Sequence, residues 1–318
     1  MKAVVVKHPG GIKALKLIDY PLPKVRPGWS LVKVRAFGIN RSEIFTRQGL
    51  SPSVKFPRIL GIECVGQIVA TSDKKRLPIK QKVISLMGEM GRAFDGSYAE
   101  YVLVPNQQIY PVETSLDWVD LAAIPETYYT AFIALRNLKI TAQDKVLVRG
   151  ATSGVGLAFG KLARAKFPHL SIYGSTRQKD KLALLTERGF SKGVIDEDNT
   201  LQTPVHFDKL LELIGPKTIK NSIQVLNSGG IICSCGQLGR QWYLENFDPI
   251  EELANDIYLT TSASKNVNEQ RLQALLDYIS HYQIDTSPQK VYSLEQIRLA
   301  HKYLESKQSF GKVVVTLG

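Results

Sequence analysis

The chain has 318 residues, 44% of them hydrophobic, and a formal net charge of +12. That length supports about two domains with sizeable cores. Three cysteines, Cys64, Cys233 and Cys235, are too few for a disulfide scaffold and point to a reducing cytosol, and no apolar run approaches the ~20 residues that cross a bilayer. The first third is β-rich in pattern. "KAVVV" (2–6), "SLVKVRAFGI" (30–39), "CVGQIVAT" (64–71), "QKVISLM" (81–87) and "GSYAEYVLVP" (96–105) are short, β-branched or alternating, and bounded by Gly and Pro. They predict a barrel-like or sandwich-like β domain.

From about Trp118 the texture changes. "SLDWVDLAAI" predicts a capped helix start, and residues 127–138 have helical spacing. "KVLVRG", "LSIYGST", "GVID", "KLLELIG" and "GGIICSCG" then alternate with helical stretches, which predicts a parallel sheet covered by helices. "EQRLQALLDYISHYQ" and "SLEQIRLAHKYLES" predict two more helices, the second opened by a Ser293…Gln296 capping box. "GKVVVTLG" closes the chain as a strand.

The basic excess is uneven. Residues 1–118 carry 18 Lys and Arg against 9 Asp and Glu, and the remainder carries 23 against 20. A basic N-terminal part can attract nucleic acid or an anionic ligand. No basic, aromatic-interleaved motif accompanies it, so a solvated surface is the simpler account and no nucleic-acid partner is expected. The opening "MKAVVVKHPG" lacks the apolar core and cleavage site of a signal peptide. A cytoplasmic location is expected.

The stretch "KVLVRGATSGVGLAFGKLARAK" runs from an apolar strand through small residues into a helix. Glycines there let the backbone approach a pyrophosphate, and the following helix offers free N–H groups and its positive dipole end. The spacing is Gly150-x-x-Ser153-x-x-Gly156, not the usual G-x-G-x-x-G. Gly150, Thr152, Ser153, Gly154, Val155 and Gly156 are the candidate phosphate-binding positions. No acid sits at the end of the next strand to meet the ribose hydroxyls of NAD. Ser175, Thr176, Arg177 and Lys181 instead offer hydroxyls and cations, which suit the 2′-phosphate of NADP.

In order, "VKVRAFGINRSEIFTRQG", "FPRILGIECVGQIV", "GSYAEYVLVP", "AAIPETYYTAF", "VLVRGATSGVGLAFGKLAR" and "FGKVVVTL" resemble the medium-chain dehydrogenase/reductase superfamily. Within it, the zinc-free quinone oxidoreductase (zeta-crystallin-like) branch is the best match, over nearly the whole chain. The resemblance implies an α/β protein. A GroES-like β-barrel domain would hold residues 1–118 and 265–318, and a Rossmann domain with a doubly wound parallel sheet would hold 119–264. Zinc-dependent members carry a cysteine where this chain reads "FGINRSE" and Gly-His-Glu where it has Gly61-Ile62-Glu63. Their four-cysteine structural lobe is missing as well, so no metal is expected.

The branch's pattern Asn-x-x-Asp-x-x-x-Arg-x-Gly corresponds to Asn40, Glu43, Arg47 and Gly49, with Glu43 replacing the usual Asp. The resemblance places Asn40 beside the nicotinamide, where it would hydrogen-bond a substrate carbonyl. It also places Thr127, Thr130, Cys235, Gly236 and Lys312 against the cofactor, and Glu63 as a structural residue. The expected activity is NADPH-dependent, zinc-independent reduction of a quinone or α,β-unsaturated carbonyl by a homodimer. The alternatives are an alcohol or carbonyl reductase of the same fold, and a nucleotide-dependent RNA-binding protein.

Overall fold

The valine run at 2–6 forms β1 (Lys2–Val6), which pairs antiparallel with β2 (Leu15–Asp19). The first part of the chain continues through β3 (Trp29–Ile39), α1 (Arg41–Arg47), β4 (Arg58–Ile59), β5 (Glu63–Thr71), β6 (Lys82–Leu86), β7 (Tyr101–Pro105), β8 (Ile109–Pro111), α2 (Trp118–Ala122) and α3 (Pro125–Asn137). The α/β part holds β9 (Lys145–Arg149), α4 (Gly154–Lys166), β10 (Ser171–Thr176), α5 (Lys181–Glu187), β11 (Lys192–Glu197), β12 (Thr200–Gln202), β13 (Phe207–Glu212), α6 (Ile219–Gln224), β14 (Leu226–Ser234), α7 (Pro249–Glu252) and β15 (Tyr258–Thr261). The chain ends with α8 (Glu269–His281), β16 (Lys290–Ser293), α9 (Ile297–Glu305) and β17 (Val313–Thr316). This computed structural model describes residues 1–253, 256–264 and 267–318.

The chain forms two units. The first comprises Met1–Thr127, Ser264–Asp277 and Asp285–Gly318. It contains a three-stranded sheet, β2-β1-β4, and a seven-stranded sheet of order β16-β17-β3-β5-β6-β8 with β7 also on β3. Val4, Val6, Leu15, Phe37, Ile44 and Leu60 belong to its continuous core. The predicted strand at 96–105 is shorter than its pattern. Gly96 and Tyr98 donate to Ile59 and Leu60, and Tyr98 accepts from Val4, so this stretch bridges to the small sheet before β7 begins.

The second unit comprises Tyr128–Ala263 and Tyr278–Ile284. Its sheet has the order β12-β11-β10-β9-β13-β14-β15, parallel except for β12. Strand order reverses next to β9, the switch point where such sheets bind ligands. Asp198 and Asn199, both at positive φ, make the tight β11–β12 hairpin turn.

The division falls differently from the expected 118/119 and 264/265 limits, the second of which borders Lys265, outside the described residues. Residues 119–127 lie in the first unit. There Leu121 and Ala122 are buried, and the Glu126 N–H donates to Glu63 at 2.6 Å. Ser264 also lies there, donating to Glu126 at 2.9 Å. Residues 278–284 lie in the second unit, where Tyr278 donates to the Leu162 carbonyl at 2.9 Å and packs against Phe132. No helix among the described residues is long and apolar enough to cross a membrane.

Candidate functional site

The strand–turn–helix corner of the second unit is tight for a local reason. The Ser153 hydroxyl accepts from the Gly156 N–H at 3.1 Å and donates to the Gly150 carbonyl at 2.8 Å, capping α4. A Cβ at Gly156 would lie 2.7 Å from the Cα and carbonyl oxygen of Ala151, so only glycine fits. Gly150 has φ +85 and abuts Leu213 and Ile214, which follow β13 at the switch point. Thr152, Gly154 and Val155 are half-buried, and the N–H groups of Gly154 and Val155, at the start of the 13-residue α4, have no protein partner among the described residues. The corner therefore presents two free donors at a positive helix end.

The four expected 2′-phosphate residues do not share one environment. The Ser175 hydroxyl is buried and accepts from the Gly150 N–H at 3.1 Å, so it ties β10 to the turn. The Thr176 hydroxyl accepts from the Gln178 N–H. Lys181 is buried, and burial holds its ammonium below the usual lysine range. Arg177 is the exposed cation of the set.

In the first unit, β17 pairs with β3 so that Val313 lies opposite Ile39. This register brings Lys312 to Asn40, where its Nζ donates to Asn40 Oδ1 at 2.8 Å and to Glu63 Oε1 at 2.6 Å. Asn40 Nδ2 donates to Glu63 Oε1 at 2.7 Å. An ammonium only donates and a carboxylate only accepts, so these partners fix the orientation of the amide. Glu63 Oε2 receives the Glu126 N–H. A Cβ on Gly38 would overlap both Glu63 Oε1 and Lys312 Cε, so this glycine leaves the space the ion pair fills.

Glu43 is buried one turn into α1. Its Oε2 reaches back to the Asn40 N–H at 3.1 Å and accepts from the Ser42 hydroxyl at 3.0 Å. Glu in place of Asp thus completes a capping contact. Burial, then the Glu63 charge, push Glu43 up to about 7 against the pull of Lys312. Asn40 and Ser42 are half-exposed, and the second Asn40 amide hydrogen has only a 3.5 Å approach to Glu43.

Arg47 belongs to the same motif but is packed away. It donates to His301 Nδ1 at 3.0 Å, to Glu305 at 2.7 Å and to the Gly10 carbonyl. Because arginine only donates, His301 carries its proton on Nε2 and gives it to the Tyr98 oxygen at 3.0 Å. Burial, then Arg47, depress His301 to about 3, so it is neutral.

Thr127 and Thr130 are buried on α3, Thr127 ending the first unit's long segment. Cys235 donates its N–H to the Glu212 carbonyl at 3.0 Å, and Gly236 follows it against Leu213. Two features escaped the sequence pattern. Glu63 is the centre of the Asn40 cluster. Arg149, which reads as the last residue of an apolar strand, forms a buried two-bond pair with Asp196 at 2.7 and 2.8 Å.

These residues do not fit the zinc ion of the superfamily's metal-dependent members. Ile62 stands at the histidine position and is buried. Glu63 is already held by an ammonium, an amide and a backbone N–H. Burial, then the Glu63 charge, push the Cys64 thiol up to about 12. Among the described residues no group of three His, Cys, Asp or Glu could hold a metal ion.

Residues 26–114 match the alcohol dehydrogenase GroES-like domain, and residues 192–315 match a family described as zinc-binding dehydrogenase. The chain is 27% identical to a quinone oxidoreductase of Rattus norvegicus, over 100% of this chain and 98% of the relative. A solved quinone oxidoreductase from Coxiella burnetii is 26% identical with a TM-score of 0.85, covering 100% of this chain and 99% of that one. A solved NAD-dependent alcohol dehydrogenase is 25% identical with a TM-score of 0.82, covering 100% of each chain. The two family models together span more than half of the chain, and with the full-length likeness in sequence and fold they agree on one conclusion: the chain belongs to the medium-chain dehydrogenase/reductase superfamily of oxidoreductases, among its quinone-oxidoreductase-like members.

Proposed function

We propose that the chain is a zinc-independent reductase that uses NADPH and takes a quinone or an α,β-unsaturated carbonyl as acceptor. The observation that carries this reading is the Asn40–Glu63–Lys312 cluster, a half-exposed amide held by buried charges that leave no metal site. Full-length relatives bearing the name quinone oxidoreductase support it.

NADPH, when bound, supplies the hydride that the acceptor takes up. The Gly154 and Val155 N–H groups would receive the pyrophosphate at the positive end of α4. Arg177 would meet the 2′-phosphate, while Ser175 holds the turn in shape. Thr127, Thr130, Cys235 and Gly236 would line the cofactor. The second Asn40 amide hydrogen would donate to the acceptor oxygen as charge develops there, with the Lys312 ammonium 2.8 Å behind the amide. A simple ketone needs stronger polarisation than one amide gives without a Lewis acid, so a conjugated acceptor is favoured over an alcohol–ketone pair. Edge strand β15 exposes Tyr258 and Leu259 and would pair with its copy in a homodimer.

The test is the loss of NADPH absorbance with a panel of quinones and enones, with NADH in parallel and a chelator present. Turnover with NADPH that the chelator leaves intact is expected. Loss of activity on chelation, or turnover of saturated ketones alone, would overturn the reading.

A further inference from the structure

The Asn40 cluster contains two buried carboxylates and one cation. Lys312, reached from β17, is committed to Glu63 and Asn40. Glu43 receives only neutral donors, the Asn40 N–H and the Ser42 hydroxyl, with the Asn40 amide nitrogen at 3.5 Å. Glu63 of β5 and Lys312 act on its charge, Tyr98 of the bridging stretch before β7 feels it, and beyond Tyr98 lie neutral His301 of α9 and Arg47 of the same helix as Glu43. Three of the five Arg47 N–H donors go to His301, Glu305 and Gly10, and none is bonded to Glu43. Among the described residues no cation makes a hydrogen bond to Glu43. Two adjacent carboxylates with one paired cation favour a proton on the unpaired member. The Ser42 hydroxyl, half-exposed and 3.0 Å from Glu43, is the outlet.

We propose that Glu43 and Ser42 form a proton relay that completes the reduction, with Glu43 storing the proton and Ser42 passing it to the acceptor. The inference rests on the reductase reading above. Once the acceptor has gained a hydride it carries an oxyanion. With Glu43 protonated, its O–H donates to the Ser42 oxygen and frees the Ser42 O–H to turn to the acceptor; that O–H breaks and its proton bonds to the oxyanion. The Glu43 O–H then breaks, and its proton restores the Ser42 hydroxyl. The electron pair stays on the Glu43 carboxylate, which takes a proton from water before the next turnover. The oxyanion is the only base required and NADPH the only reductant. A carboxyl that titrates near neutral pH suits this work, because it is both populated and willing to give up its proton.

The first arm of the test needs no turnover. Infrared difference spectra of the chain alone, taken across neutral pH, should show a protonated-carboxyl C=O band lost near pH 7. The band should vanish in Glu43→Gln, whose amide oxygen can still accept the Asn40 N–H, and shift in Ser42→Ala. A wild-type chain without the band, or a band that persists in Glu43→Gln, overturns the proton store. In the second arm, with NADPH and an accepted quinone, Glu43→Gln and Ser42→Ala should lower kcat roughly 10²-fold. The KM for NADPH should stay within about two-fold, and the alkaline fall in rate should disappear. Glu43→Asp should keep that fall. A wild-type pH–rate profile in both variants overturns the relay and leaves the reductase reading standing. An intact band with no turnover of any acceptor overturns the reductase reading and the relay with it.

Discussion

Each unit buries a cation among two carboxylates, and the two clusters end differently. In the second unit Arg149 has all five N–H donors placed, on Asp196 through two bonds, on the carbonyls of Asn199 and Thr218, and on the Ser222 hydroxyl. Glu212 there receives the Ile214 and Gly215 N–H groups and the Ser222 hydroxyl. Nothing is left over, and the cluster ties the ends of β9, β11 and β13 to the loops that follow them. In the first unit the cation is a lysine, a point charge with three donors. It leaves one carboxylate without a cation and one amide hydrogen without a close acceptor. A completed buried network gives rigidity, and an incomplete one at a half-exposed edge is available for chemistry.

The largest effect should come from breaking the completed cluster. Arg149→Met strands Asp196 and Glu212 as buried acids and should cost about 3–5 kcal/mol in denaturant unfolding. A loss below about 1 kcal/mol would mean that the cluster contributes little to rigidity. Gly38→Ala comes next, because its methyl group overlaps the Glu63–Lys312 pair. It should cost about 1–3 kcal/mol and reduce turnover more than Arg149→Met does under conditions where both remain folded. Equal losses of turnover would erase the distinction between the two clusters.

The pH dependence of stability sharpens the comparison within the first unit. Glu43 is raised from 4.5 to about 7, so its contribution is fully present below about 4.5 and is lost as pH rises toward 7. His301 is lowered from 6.5 to about 3, so its contribution is present above 6.5 and is lost as pH falls toward 3. Thermal midpoints should therefore rise for Glu43→Gln relative to wild type on going from acid to mildly alkaline pH. Replacing His301 with Gln should flatten the acid side. A parallel shift at every pH would contradict both assignments. The smallest expected effect is at the surface, where Arg177→Glu should shift the NADPH-to-NADH ratio of kcat/KM by roughly tenfold toward NADH.

Much of the local architecture was legible along the chain. Ser153 caps the turn it opens, and the Ser293 N–H meets Gln296 Oε1 as the capping pattern predicts. Asp117 likewise caps α2 through the Asp120 N–H. Asn40 and Lys312 were reached through resemblance, which said nothing of their contact with each other. Their hydrogen bond joins residues 272 positions apart, the Glu63–Lys312 bond spans 249, and Arg47–His301 spans 254. The sequence by itself determined the alternation of strands and helices, the caps and the glycine corner, because hydrophobic periodicity and short-range hydrogen bonds act within a few residues. Only the tertiary structure decided which charges share a site. The β17–β3 register sets Lys312 beside Asn40, and a slip of one residue would turn the ammonium to the opposite face of the sheet.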